Sequence, residues 1–168
     1  MRKAIIDSGP LINLTYLGLA LKLSNFFNLI YVPSNVQTEV NRKHGFRRHL
    51  KKLYLTRIFQ RCGCADPYNV ELLTRLTPAL HKGEAEAIAQ AQERDVSVVI
   101  IDEEKGRKHV ASMKNLTAVG TIGILARLHL EGHAGDPREL IAKLRRDRKF
   151  RVTDEIVNDA ISKAGIPI

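Results

Sequence analysis

Ala4-Ile5-Ile6-Asp7-Ser8-Gly9-Pro10-Leu11-Ile12 is an all-apolar run that stops on an acid and passes at once into a helical pattern. A short apolar run of this kind reads as a parallel strand buried on both faces. Its last position carries a side chain to the strand's carboxyl end. Val98-Val99-Ile100-Ile101 runs into Asp102 in the same way. In open α/β sheets, ligands bind outside the carboxyl ends of the strands. A third acid, Glu84, follows Gly83 at the start of a helix pattern.

Working outward, strand and helix signals alternate. Residues 3–6 form the first strand. Pro10 to Asn28 is leucine-rich at helical spacing and breaks near Gly18. Leu29-Ile30-Tyr31-Val32 is a second apolar run, stopped by Pro33, and Ser34 with Gln37 predicts a capping box for a helix ending near Gly45. Within 46–61 the pattern predicts a helix through Leu53 and a short strand near Leu55–Phe59. A short helix over 66–76 precedes the strong helix formers from Glu84 to Glu93. A strand at 97–101, a helix from Glu103 to Ser112 and a strand over Leu116–Val119 follow. Gly120 opens another helix that ends near Gly132. Asp136-Pro137-Arg138-Glu139 is a helix start, and Thr153 caps a last helix ending near Gly165. Strands separated by helices predict an α/β fold, a three-layer α/β/α sandwich around a mostly parallel sheet. Residues 1–132 form the main domain, with 133–168 as a basic helical extension packed on it.

Length and charge narrow the function. A chain of 168 residues fits one domain of ordinary size. Twenty-seven Lys and Arg against 18 Asp and Glu give a net charge of +9, which points to an acidic partner, with nucleic acid ahead of an anionic membrane surface. With no Trp and 5% aromatic residues, phosphate contacts suit this surface better than base stacking. No segment reads as a signal peptide or a span. Cys62 and Cys64, one residue apart, make neither a disulfide framework nor a zinc site unless His44 and His49 join them; reduced thiols in a cytoplasmic protein are the plain reading.

The acids suit a hard divalent cation, because Mg²⁺ takes one or two carboxylates, keeps several waters and shares substrate phosphate oxygens. Each acid also has a plainer reading. Asp7 and Asp102 could each cap the helix that follows, and Glu84 sits where helix amides favour negative charge. Glu39, on the helix after Pro33, could be an ordinary solvated glutamate.

These motifs together resemble PIN-domain nucleases, in the branch whose first acid is followed by a small residue and Pro-Leu-Ile. Asp7-Ser8-Gly9-Pro10-Leu11-Ile12 resembles the first motif, and Val32-Pro33 with Val36 and Glu39 the second. Gly83-Glu84-Ala85-Glu86-Ala87-Ile88 resembles the third, and Ile101-Asp102-Glu103-Glu104 with Gly106-Arg107 the fourth; Gly120-Thr121-Ile122-Gly123 continues the pattern. The resemblance implies an α/β/α sandwich whose acids Asp7, Glu39, Glu84 and Asp102 hold one or two Mg²⁺ or Mn²⁺ ions and cut RNA, leaving 5′-phosphate and 3′-hydroxyl ends. Asp7, Glu84 and Asp102 would be the metal ligands, Glu39 a holder of a second ion or of water, and Ser8 a polar helper. Many members are toxins held by a small antitoxin protein. The third acid is Glu where Asp is commoner, and the ending after Asp102 differs from the usual Asp-x-x-Phe.

Arg42, Lys43, Arg47, Arg48, Lys51, Lys52, Arg57 and Arg61 lie in a stretch with no acid, and Lys143 to Arg151 is a second basic run. Such runs neutralise phosphates, dock an acidic inhibitor or a second copy in a homodimer, or are simply solvated. Arg47, Arg48 and Arg107 are the candidate phosphate contacts, although Arg107 could instead pair with Glu103 or Glu104. His81 reads as a loop histidine. Beside a toxin nuclease stand an RNA-processing enzyme, a non-catalytic RNA-binding module and a phosphoaspartyl protein. Gly9 stands where haloacid-type phosphatases want a second Asp, and a receiver's paired acids and late Lys are not evident.

Overall fold

Burial along β1 (Lys3–Ile6) shows why the sheet is covered twice. Ala4 and Ile6 join one hydrophobic cluster, while Ile5 between them joins another. That is the period-2 signature of a strand with a core on each face. β2 (Leu29–Val32) puts Ile30 and Val32 into the first cluster, with Tyr31 packed against the second. β4 (Val98–Ile100) sends Val99 to the second cluster and Ile100 to the first. With β3 (Phe59–Arg61) and β5 (Thr117–Val119) these strands form a five-stranded sheet in the order β3-β2-β1-β4-β5, parallel at every pairing. This computed structural model describes residues 2–43, 45–63, 65–78 and 80–164.

One face is covered by α1 (Ser8–Tyr16), α2 (Ser34–Arg42), α3 (Phe46–Leu55), α7 (Thr121–Leu130), α8 (Pro137–Arg148) and α9 (Asp154–Lys163). The other carries α4 (Pro67–Leu76), α5 (Lys82–Glu93) and α6 (Glu104–Ala111). The result is a three-layer α/β fold. Alanines 85, 87, 89 and 91 of α5 are all buried, and their small size lets this helix lie close to β1 and β4. In the C-terminal segment, Ile141, Leu144 and Val157 belong to the same cluster as Leu125 and Leu128 of α7. No helix among the described residues is long and apolar enough to cross a membrane.

Several local expectations are corrected. Ser34 is the first residue of α2 rather than its cap; its hydroxyl donates to the Cys62 carbonyl (3.1 Å), and the Gln37 amide donates to Val32 (2.9 Å). The predicted capping box is therefore absent, because both side chains tie the helix to strand ends instead. The first helix starts at Ser8, before Pro10, and the leucine-rich region after Gly18 is a 3-10 helix over Ala20–Asn25. α3 runs on to Leu55, which pushes the third strand to Phe59–Arg61. Gly83 lies inside α5 rather than ahead of it. His44 and Cys64 lie outside the described residues. Cys62 is buried, and burial pushes its thiol up to about 11, so it stays protonated and unreactive at neutral pH.

Candidate active site

The sheet order reverses direction between β1 and β4, the position at which open α/β sheets part their loops to admit a ligand. Asp7 leaves β1 and Asp102 follows β4 at this edge. The backbone there is fixed by hydrogen bonds from the Asp7 amide to Ile100 (2.9 Å) and from the Ile101 amide to Val119 (2.9 Å). Gly9, in the first turn of α1, lies between the two acids. A methyl group at Gly9 would sit 3.9 Å from Asp7 Oδ2 and 3.8 Å from Asp102 Oδ2.

Burial pushes the Asp7 carboxyl up to about 7; the charges of Glu84 and Glu39 push the same way, against the pull of the Ser8 and Gly9 amides. Two further acids thus act on Asp7, from α5 and α2. Glu84 is buried and divides its oxygens. Oε2 accepts from the His81 amide (2.8 Å), so the helix-start reading of this residue holds for that oxygen. Oε1 faces α6, where a methyl on Gly106 would lie 3.6 Å away. Burial also raises the Glu84 carboxyl above its ordinary value. Glu39 is exposed on α2. Ser8 is buried as the first residue of α1.

Asp102 does not cap the helix that follows it; Glu103 stands at the N-cap of α6. It caps a different helix. Its Oδ1 accepts from the Thr121 amide (2.6 Å) and its Oδ2 from the Thr121 hydroxyl (2.7 Å), at the first residue of α7. Asn13 of α1 adds a bond from Nδ2 to Oδ2 (3.1 Å). Burial raises this carboxyl, while Thr121, Asn13 and the Arg107 guanidinium pull it back. Asn13 and Thr121 are site residues that residue-by-residue reading missed. Each left a signal: Asn13 interrupts an apolar helix face, and Thr121 sits in the Gly120-Thr121-Ile122-Gly123 motif.

Arg107 is exposed and points at this edge, with Nη1 3.6 Å from where a Gly120 methyl would be. It makes no ion pair with Glu103 or Glu104; Lys108 pairs with Glu104 instead. Arg47 and Arg48 are not brought to the acids. They line a separate shallow depression on α3 with Gly45, His49 and Lys51. A third concavity, lined in part by Arg2, Lys3 and Asp95, lies at the amino ends of the strands, away from this chemistry.

Among the described residues, no three His, Cys, Asp or Glu side chains are grouped so as to hold a metal ion as they stand. Mg²⁺ does not require three, since it binds through one or two carboxylates with waters and phosphate oxygens. The donor chemistry fits such an ion: hard oxygens only, on acids whose mutual repulsion and burial a cation relieves. An ionised carboxylate offers about four lone-pair positions, and three of those on Asp102 are already used. Asp7 and Glu84 Oε1 are the more available donors.

The chain's relationships agree with this architecture. A family model described as PIN domain matches residues 3–166. The crystal structure of PAE2754 from Pyrobaculum aerophilum superposes with a TM-score of 0.55 at 15% identity, over 77% of this chain and 96% of that one. That likeness is one of fold. No curated protein matches the sequence. A buried parallel sheet with acids at its switch point, together with a family match over nearly its whole length, makes this chain a member of the PIN-domain family, whose fold is of the nuclease type.

Proposed function

We propose that this protein is a Mg²⁺- or Mn²⁺-dependent endoribonuclease, acting as the toxin of a toxin–antitoxin pair. The observation that carries this reading is the pairing of Asp7 and Asp102 across Gly9 at the carboxyl edge, beside Glu84 and Arg107. A bound divalent ion supplies water activation at neutral pH and neutralises charge on a phosphodiester. Asp7 and Glu84 Oε1 would hold it, and Asp102 would join with its remaining lone pair, kept in orientation by Thr121 and Asn13. Glu39 would orient water or hold a second ion. Arg107 would contact the scissile phosphate, and Ser8 would add a hydroxyl nearby. The net charge of +9 suits both RNA and a small acidic inhibitor.

The test is cleavage of labelled single-stranded RNA in Mn²⁺, in Mg²⁺ and in EDTA, by the wild type, Asp7→Asn and Asp102→Asn. Folded substitution variants should lose at least a hundred-fold in rate, and EDTA should abolish cutting. Wild-type rates in either variant would end the proposal. The second reading, a non-catalytic RNA-binding module, is favoured by the three donors that already occupy most of Asp102's acceptor positions. RNA that is bound but never cut, in any divalent metal, selects that reading.

A further inference from the structure

We infer that the RNA backbone runs along the groove between Asp102 and the α8–α9 connection, held by Arg148, Lys149 and Arg151, and not along the basic helix α3. This deepens the ribonuclease reading and rests on it. A groove of about 840 Å³ is lined by Gly9, Asp102 and Arg107 together with Arg148, Lys149 and Arg151. It also holds Glu103, and Glu104 and Asp159, which pair with Lys108 and Lys163.

The second basic run splits into two functional halves. Arg145 pairs with Asp154 (2.7 Å) and also donates to the Val152 carbonyl (2.8 Å). Arg146 pairs with Asp147 (2.8 Å), and Lys163, which also lines the groove, pairs with Asp159 (2.7 Å). Those cations are spent within the fold. Among the described residues, Arg107, Arg148, Lys149 and Arg151 form no ion pair, and all four line the groove. Arg148 adds an independent sign. Its guanidinium lies 5.2 Å from the Phe46 ring centroid and 5.9 Å from that of Tyr16, and its Nε is buried without a hydrogen-bond partner. The two aromatic rings fix this guanidinium beside the groove, and with Nε shut off from solvent it is the terminal nitrogens that can meet an anion.

The backbone presents these groups. Lys149 adopts a left-handed conformation (φ 54°, ψ 33°) at the end of α8, a position where glycine is usual. This turn carries Lys149 to Val152 along the groove. A phosphodiester chain suits the row better than an acidic peptide, because a cation held at the carboxylate end also takes phosphate oxygens as ligands. Arg47 and Arg48 face a different depression that no site acid enters.

Binding of a labelled single-stranded RNA of about ten nucleotides, measured in EDTA so that nothing is cut, tests this. Lys149→Gly with Arg151→Gln removes two charges and keeps the left-handed turn. The comparison is Arg47→Gln with Arg48→Gln, all variants being checked by circular dichroism and thermal unfolding. The first pair should weaken binding on the order of ten-fold at 0.1 M salt and flatten the log–log salt slope by about 1.4. The second should bind within two-fold of wild type. Equal losses in both pairs, no loss in the first, or displacement of RNA by polyglutamate as readily as by unlabelled RNA overturns the track. The two readings fail separately. A wild type that never cuts but shows the predicted binding pattern loses the nuclease and keeps the track; one that cuts but binds equally in both pairs loses the track alone.

Discussion

Thr121 gives Asp102 two hydrogen bonds, from its amide at 2.6 Å and its hydroxyl at 2.7 Å. The acid that follows β4 is thus held by the helix that follows β5. Because Thr121 is fully buried, water has no ready route to replace a missing hydroxyl. Thr121→Val keeps the shape and removes that donor, and should cost about 1.5–3 kcal/mol, the range for hydrogen bonds to charged groups. Thr121→Ser should recover most of it. Urea unfolding reads both, and a valine variant as stable as wild type would show that the bond contributes nothing.

Stability of the metal-free protein should fall as pH rises from about 4 to about 7. Asp7 ionises near its ordinary value of 3.8 in the unfolded chain and at about 7 in the fold. Between those values the native state holds the extra proton, so its advantage is complete below the lower pKa and is lost as pH passes the upper one. The loss attributable to Asp7 is up to about 4 kcal/mol. Asp7→Asn should flatten this slope, and Mn²⁺ should restore stability to the wild type at pH 7.5 but not to the variant. Thermal melts across pH, with and without Mn²⁺, decide it; parallel profiles for the two proteins would refute it.

Gly9→Ala should separate folding from metal binding. The added methyl meets the two carboxylates at ordinary contact distances, 3.8 and 3.9 Å, so no backbone shift is required. In a helix, alanine is favoured over glycine by about 1 kcal/mol. The same methyl occupies space between the acids. The variant should melt at or above the wild-type temperature while binding Mn²⁺ at least several-fold more weakly by calorimetry. Unchanged affinity would mean that the gap between Asp7 and Asp102 is not used.

Leu144→Ala tests whether the C-terminal helices belong to the main core. Leu144 is fully buried in the cluster that contains Leu125 and Leu128. Its truncation should cost about 2–5 kcal/mol, as for other buried leucines, with a single unfolding transition. A two-step melt, with the early step alone affected, would make the last helices an independent appendage.

Ile5-Ile6-Asp7 and Ile100-Ile101-Asp102 were legible because a strand buried on both faces must be apolar throughout, so an acid at its end stands out. That pattern pointed to the edge where Asp7 and Asp102 lie, and the alternation of strand and helix signals along the chain pointed to the parallel sheet and its layers. Element ends were less legible. Ser34 and Gln37 have the composition of a capping box, yet strand-end carbonyls outcompete the helix amides for their side chains. Only tertiary structure decided which partners each acid keeps. Glu84 gives one oxygen to its own helix start, and Asp102 accepts three hydrogen bonds from Asn13 and Thr121, residues 89 and 19 positions away. It also decided which cations remain unpaired. Arg145 and Arg151 are alike in sequence, but Asp154 neutralises one and leaves the other facing the groove. Periodicity reports burial, which is local; pairing depends on distances that exist only after the chain has closed on itself.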